Sequence, residues 1–154
     1  MRTSLLILSL LVLFTTNMHS QSSAWFTNSS EAKAYAQKNN IPILLVFAGS
    51  DWCKPCMMLK AEILHSAEFE QYYPSQFALL YLDFPMQSKN KLSPELTKQN
   101  ELLAEKYNKS GFFPNLVLID IQGKVLGTLT YKHQTPEVFI NGCKSLIEKT
   151  KIKE

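Results

Sequence analysis

The sequence predicts an α/β domain built on a mixed, roughly four-stranded sheet with helices on both faces. Three observations carry this. Continuous apolar runs at residues 41–47, 77–84 and 116–120 read as buried strands, because they do not alternate with polar residues. Segments with helical periodicity separate the first three runs, the arrangement that βαβ units require. The last run is followed, after Ile121-Gln122-Gly123-Lys124, by a second extended stretch at 125–131, which predicts an antiparallel hairpin.

Taken in order, Asn28-Ser29-Ser30 offers capping side chains ahead of residues 31–38, a run of good helix formers ended by Asn39-Asn40. Trp25 and Phe26 are expected to pack under this helix. The strand over 41–47 enters a short Ala48-Gly49-Ser50-Asp51 turn, and a helix over 53–64 follows, with Cys56, Leu59, Ile63 and Leu64 on one stripe. Pro55 falls in its first turn, where a missing N–H costs little. A short helix over 67–73 is expected to stop at Pro74. Beyond the strand at 77–84, residues 85–92 form a polar loop, and Ser93-Pro94-Glu95 starts a helix running to about 107. Asn108-Lys109-Ser110-Gly111 breaks it. Thr135-Pro136-Glu137 starts a closing helix to about 150. Strands separated by helices are expected to be parallel neighbours.

The 154 residues make one domain by length, and 45% hydrophobic with 19% charged residues is an ordinary globular composition. The net charge of +3 comes from scattered lysines, which gives nucleic acid nothing to bind. Residues 1–20 differ from the rest. One arginine, an apolar stretch over 5–14 and a small polar tail form the three-part layout of a secretory signal peptide. Cleavage is expected after Ser20 or as late as Ala24, leaving a domain over 25–150. A retained anchor helix is the alternative, although the apolar stretch is short for a bilayer. The expected product is exported and soluble, in a bacterial periplasm.

Trp52-Cys53-Lys54-Pro55-Cys56 is the feature that carries chemistry. A helix N-terminus favours a thiolate, because its N–H groups are unpaired and it holds the positive end of the macrodipole. Lowering the Cys53 pKa from about 8.5 towards about 7 is worth roughly 2 kcal/mol and ionises about half of the thiol at neutral pH. Lys54 adds a modest, salt-screened push in the same direction. Zinc would need two further ligands, and only Cys143, His65 and His133 offer themselves, widely spaced. A purely structural disulfide would close a loop too short to stabilise much. Cys143 shares a stripe with Phe139 and Leu146 and reads as a packed core thiol, with a redox or dimer-forming role as the alternative. Of the histidines, His65 is expected to cap a helix end and His133 to be solvated. Asp83 and Asp120 read as turn formers at strand ends.

Trp-Cys-x-Pro-Cys after an apolar strand, with Gly111-Phe112-Phe113-Pro114 before a later strand, resembles the thioredoxin superfamily over essentially the whole of residues 25–150. Gly49-Ser50-Asp51-Trp52-Cys53 and Asp120-Ile121-Gln122-Gly123-Lys124 are similar to exported bacterial thioredoxin-like proteins. They are also similar to the C-terminal periplasmic domain of the membrane disulfide reductase of Gram-negative bacteria. The resemblance implies a thioredoxin fold and a thiol–disulfide oxidoreductase that uses no metal or organic cofactor. It implies that Cys53 attacks a substrate disulfide and Cys56 resolves the mixed disulfide. Pro114 would be a cis-proline, with Phe113 and Trp52 contacting the bound peptide, while Lys54 and Pro55 tune the cysteine pKa. The Lys54-Pro55 dipeptide is closer to thioredoxin than to the Pro-His of the oxidase, which favours reduction. The implied partners are disulfide-bearing proteins and a membrane thiol donor, with the protein itself a monomer. Two other functions fit the fold: thiol reduction in cytochrome c maturation, which the short 85–94 loop disfavours for want of an insert, and a binding or chaperone module without turnover. One departure stands out. Thioredoxins carry a buried aspartate on the strand before the motif, to move the proton of the resolving cysteine, whereas Val46 and Phe47 occupy that region here. Asp51 and Glu62 are the nearest acids in sequence, neither at the family's position, and water is a further candidate acceptor.

Overall fold

The computed structural model describes residues 24–151; the predicted leader lies outside them. The elements are β1 (Trp25–Phe26), α1 (Ser29–Asn39), β2 (Ile43–Ala48), α2 (Lys54–Met58), α3 (Ala67–Tyr72), β3 (Ala78–Asp83), α4 (Pro94–Tyr107), β4 (Asn115–Ile119), β5 (Val125–Leu129) and α5 (Pro136–Lys151). A π-helical turn, Leu59–Leu64, continues α2, and short 3₁₀ turns occupy Tyr73–Ser75 and Ser88–Asn90.

The sheet has five strands in the order β1-β3-β2-β4-β5, one more than expected. The extra strand is only two residues long, too short to show alternation in sequence, and it pairs parallel to β3. Strands β2 and β3 are parallel neighbours, and β4–β5 is the expected antiparallel hairpin. β4, by contrast, is not a parallel neighbour of β3: it lies antiparallel beside β2. Register explains the difference. Asp83 ends β3 opposite Ala48 and Asn115 opens β4 opposite Phe47, so the connection over residues 84–114 returns to the sheet end it left. A connection that does not traverse the sheet must reverse the next strand. Asn100 of α4, almost fully buried, holds this return by donating from Nδ2 to the Asp83 carbonyl at 2.9 Å.

Alternation along the strands sorts the core into two layers. Leu44, Val46, Ala48, Leu79, Tyr81, Leu116 and Leu118 face the layer with Cys56, Leu59, Ile63, Phe69, Phe139 and Cys143. Leu45, Phe47, Leu80, Leu82 and Val117 face Ala32 and Ala36 of α1, with Leu103, Ala104 and Tyr107 of α4 packed alongside. Helices thus cover both faces; β2 is buried throughout, and β3 is buried up to the half-buried Asp83 at its end.

Local chemistry accounts for the helix ends. Asn28 Oδ1 accepts from the Ser30 and Glu31 amides at 2.9 and 3.2 Å, and Asn40 closes α1 in the left-handed region at φ 51°. Ser66 and Ser93 cap α3 and α4 through their hydroxyls. The helix after the cysteines is not a single α-helix: His65 N donates to Lys60 O at 3.0 Å, five residues back, which widens the last turn. Leu59, Ile63 and Leu64 still reach the core, as their stripe predicts.

Phe26 packs on Tyr35 of α1 as expected, with ring centroids 5.3 Å apart. Trp25 does not; strand alternation turns it to the opposite face, stacked between His65 and Tyr81 at 5.3 and 5.4 Å. His65 also meets Glu70 at 3.4 Å. His133 is exposed, at φ 47°. Asp120 is a turn former, accepting from the Gln122 and Lys124 amides at 3.0 and 2.8 Å.

Cys143 is a free, buried thiol in the core, and burial pushes its pKa up to about 12. Native protein should therefore leave Cys143 unmodified by a thiol reagent at pH 8 and expose it in denaturant; fast native labelling would place it at the surface. Because its folded pKa lies above its ordinary value, its contribution to stability is complete below about pH 9 and is lost as pH rises towards about 12. Tyr72 and Tyr81, also raised to about 12 by burial, act in the same direction, so the melting temperature should fall in that alkaline window.

Candidate active site

The site forms where β2 ends. Gly49, Ser50, Asp51 and Trp52 carry the chain from the strand to Cys53, which caps α2. Cys53 O accepts from the Cys56 and Met57 amides at 3.0 and 3.1 Å, and Cys53 Sγ accepts from Cys56 N at 3.3 Å. The two sulfurs are joined as a disulfide. Cys56 is 1% exposed, on the buried side of the helix. Cys53 is 5% exposed, less than its implied role as the outer thiol suggests, because its sulfur is turned inward to Cys56. Lys54 and Pro55 are exposed on the first turn, and Pro55 sits where no N–H is required.

The Phe113–Pro114 peptide bond is cis. Phe113 meets Trp52 edge-on at 5.4 Å and Phe84 at 5.3 Å. Trp52, 43% exposed, donates from Nε1 to Phe84 O at 2.7 Å. Its indole lies so close over Gly49 that any Cβ there would enter the ring. The structure thus gathers Trp52, Cys53, Cys56, Phe113 and the turn before them at one end of the sheet. A groove of about 620 Å³ opens here, with Trp52, Phe84, Met86, Leu92 and Phe113 among its walls.

Three supporting residues escape sequence reasoning. Asp83 is the last residue of β3 rather than a turn former: its carboxylate accepts from Ser50 N at 2.9 Å and Ser50 Oγ at 2.6 Å, tying the turn before the cysteines to the end of β3. Asn108, almost fully buried, donates to Phe112 O at 3.0 Å and accepts from Asn115 Nδ2 at 2.9 Å, bracketing Pro114 on both sides. Asp51 accepts from the Met86 and Gln87 amides and from Asn90 Nδ2 at 2.9 to 3.0 Å. The Met86 amide first, then Asn90, lowers its pKa below the usual carboxylate value. Nothing in the sequence pairs these positions, which lie 33 to 39 residues apart for the two aspartates.

Val46, on the Cys56 side of the sheet, and Phe47, on the α1 side, are fully buried and apolar. Glu62 is bound to the Tyr131 hydroxyl at 2.7 Å. Val46 is paired in register with Tyr81, whose buried hydroxyl has no hydrogen-bond partner among the described residues and whose ring lies under Lys60 Nζ at 5.0 Å. Among the described residues, no group of three or more His, Cys, Asp or Glu side chains could hold a metal ion, and no helix is long and apolar enough to cross a membrane.

A thioredoxin fold that presents a Cys-x-x-Cys disulfide at a strand–helix junction is the architecture of a thiol–disulfide oxidoreductase. The chain belongs to the thioredoxin-like family, whose pattern it matches over residues 24–120. It is similar to the disulfide bond reductase DsbH of Chlamydia pneumoniae, with 32% identity over 119 residues, 77% of this chain and 70% of that protein. It also matches the thioredoxin-related protein DsbJ of the same organism at 30% identity over 103 residues, 67% of this chain but 29% of that longer protein. Among solved structures, a DsbH oxidoreductase superposes with a TM-score of 0.74 at 30% identity, covering 80% of this chain and 83% of that one. A thioredoxin from Thermus thermophilus shares the fold alone, with a TM-score of 0.61 at 16% identity over 84% and 91% of the two chains.

Proposed function

We propose that this protein is an exported disulfide reductase. The observation that carries the reading is the Cys53–Cys56 disulfide at the head of α2, beside a groove walled by Trp52 and Phe113. The direction is supported by the similarity to a protein named as a disulfide bond reductase over most of both chains. Export is supported by the three-part layout of residues 1–20, removed in the mature protein to leave the domain over 25–150.

In the reduced form, the Cys53 thiolate attacks one sulfur of a substrate disulfide. The substrate S–S bond breaks, a Cys53–substrate disulfide forms, and the released sulfur takes a proton. Cys56 then gives up its proton and attacks Cys53 Sγ, which releases the second substrate thiol and restores the Cys53–Cys56 disulfide. Two electrons pass to the substrate, and a membrane dithiol resupplies them. With Val46 and Phe47 apolar, the proton of Cys56 leaves through water. Trp52, Phe113 and Pro114 hold the substrate chain; Lys54 and Pro55 favour the Cys53 thiolate.

Equilibration with glutathione tests the direction. A reductase should have a reduction potential near that of thioredoxin, about −270 mV, whereas a value near about −120 mV would make the protein an oxidant.

A further inference from the structure

Ser50, Asp51 and Trp52 immediately precede Cys53; Ser50 bonds to the last residue of β3, and Asp51 and Trp52 bond to the segment that follows it. Ser50 binds Asp83, Trp52 binds the Phe84 carbonyl, and Asp51 reaches furthest along the loop. Its Oδ1 accepts from Met86 N at 2.9 Å, and its Oδ2 accepts from Gln87 N at 3.0 Å and Asn90 Nδ2 at 2.9 Å. The Asp51 carbonyl accepts from Gln87 Nε2 at 3.2 Å. Residues 86–91 are all exposed, and Met86 is 76% exposed, so no apolar burial anchors this stretch. Hydrogen bonds to an ionised carboxylate are the stronger kind, and here they span 35 to 39 residues rather than closing a local turn. The stretch they hold is one wall of the groove whose other walls are Trp52 and Phe113.

We propose that Asp51 is a positioning residue for substrate selection: it latches the 86–90 loop at a set distance from Trp52, and so shapes the groove to take an apolar side chain next to the substrate's cysteine. The inference rests on the reading of Cys53 and Cys56 as the redox pair. Any disulfide that reaches Cys53 must carry its flanking residues past Trp52, so the groove is filled by the substrate's own neighbouring side chain. The groove's wall is apolar at Trp52, Phe84, Met86, Leu92 and Phe113 and polar at Gln87, Ser88 and Lys91, and its apolar part selects an aromatic or aliphatic residue there. Asp51 touches neither the sulfurs nor the substrate; it acts through the loop.

Two synthetic peptide disulfides test this, one with Phe on either side of the cysteine and one with Gly in the same places. The wild-type protein should prefer the Phe peptide by about tenfold in kcat/KM, the worth of burying part of one aromatic ring, with the difference in KM. Asp51→Ala should erase that preference by raising KM for the Phe peptide. Asp51→Asn keeps one acceptor for Met86 N and should lie between the two. Asn90→Ala, which removes one bond from the loop side, should move in the same direction by less. An unchanged Phe/Gly ratio in Asp51→Ala, a loss that falls on kcat for both peptides alike, or a wild type without preference overturns the latch. Turnover of neither peptide by the wild type removes instead the redox reading beneath it.

Discussion

Replacing Cys53 with serine is expected to lower disulfide reduction on the order of a thousandfold or more, because an alcohol neither ionises near neutral pH nor forms a mixed disulfide. Replacing Cys56 should act differently. The first attack by Cys53 still proceeds, but no neighbouring thiol displaces the substrate, and an external thiol must do so without the advantage of proximity. Cys56→Ser should therefore accumulate a covalent Cys53–substrate adduct, visible as a mass increase that a reductant removes. Insulin reduction and non-reducing mass analysis separate the two variants. Neither change should unfold the protein, since the Cys53–Cys56 loop spans three positions and closing so short a loop removes little chain entropy. Full turnover by Cys53→Ser, or adduct formation by Cys53→Ser rather than Cys56→Ser, would reassign the nucleophile.

What could be read from sequence was whatever depends on residues close together in it. The apolar runs of β2 and β3, the stripe of Cys56, Leu59 and Ile63, the proline starts of α4 and α5 and the cysteine pair all obey short-range rules. The harder features depend on partners far apart. β1 is two residues long, so its pairing with Leu79 and Leu80 left no periodic trace. The antiparallel seat of β4 depends on where residues 84–114 come back to the sheet, which Asn100 and the β2 register decide rather than any local propensity. Asp51, Asp83 and Asn108 look like ordinary loop formers, since Asp and Asn are common in turns for local reasons. Their roles appear only when strand ends bring Ser50, Met86 and Phe112 within hydrogen-bond reach. The missing strand carboxylate was plain from Val46 and Phe47, but not the buried Tyr81 hydroxyl paired across from it.

The largest stability effect is expected at the other end of the sheet. Phe69 of α3 is fully buried, with Tyr73 at 5.2 Å, Phe77 at 6.1 Å and Phe139 at 5.7 Å between ring centroids. It joins α3 to α5 and to the start of β3, and no smaller side chain can keep all three contacts. Phe69→Ala should cost about 3–5 kcal/mol, from lost burial together with the cavity left by a ring that its neighbours cannot fill. Against the roughly 5–15 kcal/mol typical of a domain, that is enough to lower the melting temperature by about 10 °C. Phe69→Leu, which keeps most of the volume, should cost less than half as much. The chemistry should survive. Phe77 lies just before β3 and Asp83 ends it, so the aromatic cluster and the Ser50 anchor are separated by the strand's length, about 20 Å at roughly 3.3 Å per residue. Effects at that separation add rather than couple. Urea unfolding together with insulin reduction at 20 °C tests both halves of the argument. A loss below about 1 kcal/mol would mean that the cluster collapses around the gap. Lost turnover in protein that is still folded would mean that the core under α3 and the cysteine site are coupled.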